Sequence, residues 1–145
     1  MTKLLLSVHV LAAILVVGPI AVAASMFPRH AQRSAPGAEL LHRICRGYAV
    51  VGIAVPVFGI ATGAALGVLT DAWLIASLLL TALAAGLLAL SILPGQQRLL
   101  ATPPAEEEPR RATAARLTML TGMFNLLWAV VVVLMIVRPG STTSA

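Results

Sequence analysis

The side chains able to do chemistry are few and far apart. The 145 residues include three histidines (His9, His30 and His42), a single cysteine (Cys45) and five carboxylates. One cysteine allows neither an intrachain disulfide nor a thiolate metal cluster within the chain, and Cys45 reads as a small apolar residue at a helix end. No Ser/His/Asp set, Gly-Lys phosphate loop or HExxH helix is present, so an enzymatic role is the less favoured reading. Glu106, Glu107 and Glu108 lie among Pro103, Pro104 and Pro109. Adjacent carboxylates do not converge on one ion. The segment therefore reads as a solvated linker whose acids favour the positive end of the following helix. Four candidates remain in or beside apolar stretches: His9, Asp71, Asn125 and Met135.

The elements that must position these residues follow from composition. Hydrophobic residues make up 59% of the chain and charged residues 10%, against about 25% charged in a soluble domain. So few charges cannot build a water-facing surface, and the apolar excess must face lipid. A span needs about 20 apolar residues. Residues 4–26, 47–70, 72–93 and 117–137 meet that requirement. They are too long and unbroken for barrel strands, and helices alone then satisfy the backbone in lipid. The expected fold is all-α, a four-helix transmembrane bundle forming a single domain over residues 1–145. Lys3, the first apolar run and Ala21-Val22-Ala23 have the form of a secretory signal. The run is longer than a signal core, however, and the arginines after it oppose translocation, so it reads as a span.

Charge predicts the orientation. Arg29, Arg33, Arg43 and Arg46 fall between the first two runs, and Arg98, Arg110, Arg111 and Arg116 between the last two. The Thr70-Asp71 turn has no basic residue. Basic loops face the cytoplasm, which places both termini on the outer side of an inner (plasma) membrane. The arginines lack an aromatic-bearing patch, which excludes nucleic acid as a partner; lipid is the partner implied.

Span two carries Gly52, Pro56, Gly59, Gly63 and Gly67 on one face, and span three carries Ser77, Thr81, Ala85 and Ala89 at every fourth position. Small residues at this spacing let helix backbones approach closely. The short turn between them predicts that these two faces join within the chain, with a homodimer through the glycines as the alternative. Pro19 and Pro56 are expected to kink spans one and two.

His9 sits near the outer end of span one, whereas His30 and His42 fall in or beside the inner loop. The separation approaches the thickness of the bilayer core, so two of these histidines cannot clamp one haem b. Met135, near the outer end of span four, is the remaining axial partner for His9; copper is a second option. The simpler expectation is that His9 hydrogen-bonds a neighbouring helix, and Asp71 at the same end could orient or charge it. Carriers place ionisable groups near the midplane and often show repeats; neither is seen here, which leaves a small permease as a third reading.

Several segments resemble a bacterial family of predicted four-span integral membrane proteins of unknown function, distantly akin to copper-resistance D-type membrane proteins. They are Leu6-Ser7-Val8-His9-Val10-Leu11-Ala12-Ala13, Val17-Gly18-Pro19, Thr62-Gly63, Asn125-Leu126-Leu127 and Leu134-Met135-Ile136-Val137-Arg138-Pro139-Gly140. The resemblance implies a four-helix membrane domain with an outer-side histidine in span one, and no established activity. The expected role is that of a non-catalytic subunit or accessory of a membrane assembly, with a membrane-protein partner or a second copy of the chain as its contact.

Overall fold

A computed structural model describes residues 2–33 and 36–140. All regular structure among them is helical: α1 (Thr2–Gln32), α2 (Ala38–Val51), α3 (Ala54–Leu66), α4 (Ala72–Leu87), a π-helical turn (Leu88–Ile92), α5 (Leu93–Ala101) and α6 (Glu107–Val137). Pairs α2–α3 and α4–α5 each run end to end. The chain therefore presents four helical columns long and apolar enough to cross a membrane, as the apolar runs predict.

The columns extend well past those runs. α1 and α6 each have 31 residues, about 47 Å at 1.5 Å per residue, against a bilayer core of about 30 Å. The stretches 27–46 and 94–116, read as loops from their charge, are mostly helix. A charge ends the part of a helix that lies in lipid; it does not end the helix. Arg29, Arg33, Arg43 and Arg46 point outward, while Phe27 and Cys45 beside them are wholly buried. The solvated linker shrinks to residues 102–106. Glu107 and Glu108 start α6, and Pro109 sits in its first turn, where the missing N–H costs nothing.

α1 is the hub. It packs along α2 and α3 on one side and along α6 on the other, while α4 packs on α6 and α5 reaches α2 and α6. α3 and α4, though joined by a short turn, scarcely touch. The expected closure of the glycine face of span two on the small face of span three is therefore corrected. Ser77 is buried and returns its hydroxyl to the Trp73 carbonyl at 2.8 Å; Thr81 is half-buried. Gly67 is no packing residue. Its φ of 71° closes α3, with Gly67 N–H donating to the Ala64 carbonyl and Val68 N–H to the Gly63 carbonyl, at 3.1 and 3.0 Å. That paired arrangement is a Schellman C-cap, which favours glycine at the left-handed position.

The second column breaks at Gly52–Ile53. Pro56 has no N–H to offer the Gly52 carbonyl, and the Val55 N–H takes it instead at 3.1 Å. α1 remains one helix through Pro19 and Pro28, so the kink expected at Pro19 does not interrupt it.

The buried core lies mainly at the end bearing the arginines, built from Phe27, Cys45, Ile92, Leu99, Leu117 and Phe124. A smaller cluster of Val68, Trp73 and Leu74 closes the opposite end. The middle is ringed by exposed side chains such as Leu15, Val57, Leu79 and Leu126, the surface a bilayer would cover. Residues 1, 34, 35 and 141–145 lie outside the described residues.

Candidate functional site

His9 projects from α1 toward α3, and its Nδ1 lies 3.0 Å from the Val55 carbonyl oxygen. A carbonyl only accepts, so Nδ1 carries the proton and Nε2 the lone pair. Gly59 makes room for the ring: a Cβ there would sit 2.9 Å from His9 Cε1. The glycine periodicity in span two therefore has a definite function at this position, with a histidine of span one as its neighbour rather than span three. Gly52 likewise faces Val16 of α1, and Gly63 faces Leu69 of the following turn and Leu74 in the first turn of α4.

Asp71 and Met135 do not join His9. Asp71 precedes α4, and its carboxylate accepts the Trp73 indole N–H at 3.1 Å. Arg138 lies over the Trp73 ring, 5.4 Å from its centroid, a cation–π contact. Met135 packs on the Val68–Trp73–Leu74 cluster. Asp71 is thus engaged at Trp73 rather than at His9, and with Arg138 and Met135 it forms a fastening between the ends of α4 and α6.

Asn125 reaches across from α6 to α1, donating to Ser25 Oγ at 3.2 Å. Its Oδ1, together with Thr121 Oγ1 and Trp128 Nε1, is buried without a hydrogen bond to the described residues. Spaced four and three apart, these residues put a polar seam on one face of α6.

A polar cluster at the arginine end escaped the sequence reading. His42 and Gln96 are buried, at 6% and 1% exposure, with His42 Nδ1 2.8 Å from Gln96 Oε1. Gln96 Nε2 points at Cys45 Sγ, 3.6 Å away. That leaves Oε1 as the acceptor and places the proton on His42 Nδ1; Nε2 is buried and unpaired among the described residues. One turn away, Arg110 donates to the carbonyls of Leu99, Thr102 and Ala31. These belong to the last turns of α5 and α1, where carbonyls lack intrahelical partners and the helix dipole is negative. Among the described residues, no group of three or more His, Cys, Asp or Glu side chains converges on a metal-sized site.

No family model, curated protein or solved structure matches the chain.

Proposed function

We infer that the chain is a small multi-pass protein of a bacterial inner membrane, with both ends on the outer side. It serves there as a non-catalytic subunit or accessory of a membrane assembly. The observation that carries this reading is the use of His9. The residue best placed for chemistry fastens α1 to α3 through the Val55 carbonyl, in a space that Gly59 leaves open. Buried polar groups inside a membrane are costly unless paired, and this one is paired as a helix fastener. The orientation rests on the arginine-rich end facing the cytoplasm, and the family resemblance is part of the same proposal. Extraction of the native membrane in mild detergent, followed by co-purification, tests it. A second membrane protein, or a second copy, at fixed stoichiometry is expected. A chain that elutes alone and carries solute across proteoliposomes would show a permease instead.

One observation favours a second reading, a haem- or copper-associated redox or transfer protein. With Nδ1 fixed on a backbone carbonyl, His9 keeps Nε2 as a lone-pair donor, the arrangement that metal-ligating histidines use. An absorption spectrum and metal analysis separate the two. A Soret band or one copper per chain, lost in His9→Ala, supports the second reading and removes the first.

A further inference from the structure

A cleft lies between the α4–α5 column and α6, at the arginine end. Its volume is about 240 Å³, and Arg98 and Arg116 line it with Ser91 and Thr113. The π-helical turn Leu88–Ile92 contributes Leu90 and Ser91 to its wall; such turns recur at functional sites. Pro94 and Gly95 follow and offer little bulk. Gly95 also lets Leu117 close the floor, since a Cβ there would come within 2.7 Å of Leu117 Cδ2.

The charge of the cleft is one-sided. No carboxylate lines it. Elsewhere Arg43 pairs with Glu39 and Arg111 with Glu108, while Arg110 is held by three carbonyls. Arg98 and Arg116 form no ion pair among the described residues. Two guanidinium groups and two hydroxyls at one cleft suit a phosphate oxyanion.

The apolar walls favour a lipid as its source. Leu90 and Leu120 also line the cleft, on the side leading to the bilayer middle. Leu90 lies roughly 12 Å up its column from Arg98 at 1.5 Å per residue, and it is 80% exposed. An acyl chain can run along these leucines while its phosphate rests between the arginines. Basic pockets between membrane helices at the cytoplasmic interface recognise anionic lipid headgroups in this way. We propose that the cleft between the π-turn and α6 binds the phosphate of an anionic phospholipid through Arg98 and Arg116.

Native mass spectrometry of the full chain, delipidated in detergent, tests this with phosphatidylglycerol, phosphatidylcholine and inorganic phosphate as separate probes. One phosphatidylglycerol should bind in preference to phosphatidylcholine. Arg98→Gln with Arg116→Gln should weaken it roughly 25-fold, at about fivefold per arginine. The double Lys variant should keep most of the binding, because it keeps both charges. Equal binding of the two lipids, or full binding by the Gln variant, overturns the proposal. Saturable binding of inorganic phosphate that displaces phosphatidylglycerol would overturn the lipid as source and leave a soluble phosphate site. Both arginines are exposed, so their replacement should not unfold the chain; an unchanged melting temperature checks that.

Discussion

Arg110 carries a guanidinium into a site where it forms no ion pair among the described residues, and only 9% of it is exposed. The charge is tolerated because the ends of α1 and α5 converge there, each offering unpaired carbonyls and a negative dipole. Arg110→Met would orphan the Ala31, Leu99 and Thr102 carbonyls together. A loss of about 3 kcal/mol in detergent unfolding is expected, the upper range for hydrogen bonds to a charged group. Arg110→Lys should recover only part of it, since an ammonium lacks the planar fork that spans several acceptors. Similar reasoning applies at His9. Gly59→Ala should displace the imidazole from the Val55 carbonyl, and His9→Ala should cost about 0.6–1.5 kcal/mol, typical of interhelical bonds in membranes. With the ring gone the added methyl has space, so the double variant should be more stable than the sum of the singles predicts. Strict additivity in unfolding free energy would mean that the glycine is not there for the histidine.

Between elements, the join of α2 to α5 runs through His42 and Gln96. Gln96→Leu leaves the His42 Nδ1 proton buried without an acceptor, at a cost of about 1–3 kcal/mol. Adding His42→Phe removes the stranded group, and the pair should show a coupling of at least about 0.5 kcal/mol in a double-mutant cycle. The four columns were legible in the sequence because lipid demands long apolar runs. Their ends were not, because charge marks where water begins and not where a helix stops. The glycine spacing of span two announced close approach without saying to what: Gly59 meets α1, and Gly67 caps α3. The charge pattern puts His42 in or beside the inner loop, although Ala38, His42 and Cys45 share a face between the outward Glu39, Arg43 and Arg46. That amphipathic pattern is the signal that could have placed His42 inside. Gln96, its partner 54 residues on, carries no local signature, because the pairing depends on how the columns pack.

For the whole molecule, the two ends of the bundle are built on different principles, and the difference can be read out as topology. One end gathers every arginine but Arg138 and most of the buried core, with Arg110 tying α1, α5 and α6 together. The other ends in the Asp71–Trp73–Arg138 fastening, where a tryptophan suits the membrane interface. The connection at 67–71 and the segment at 102–106 lie at opposite ends of the columns, so one orientation exposes them on opposite sides of the membrane. Cys45, the only native thiol, is wholly buried, so it should resist an impermeant maleimide until the protein is denatured. Single cysteines can then be introduced over a silent background at exposed positions: Gln32, Ala105 and Thr70. With the arginine end in the cytoplasm, Thr70→Cys should label in intact spheroplasts. Gln32→Cys and Ala105→Cys should label only after permeabilisation. The opposite pattern would invert the protein in the membrane and place the arginine cleft on the outer leaflet. Labelling of all three from one side would contradict the four-column fold itself.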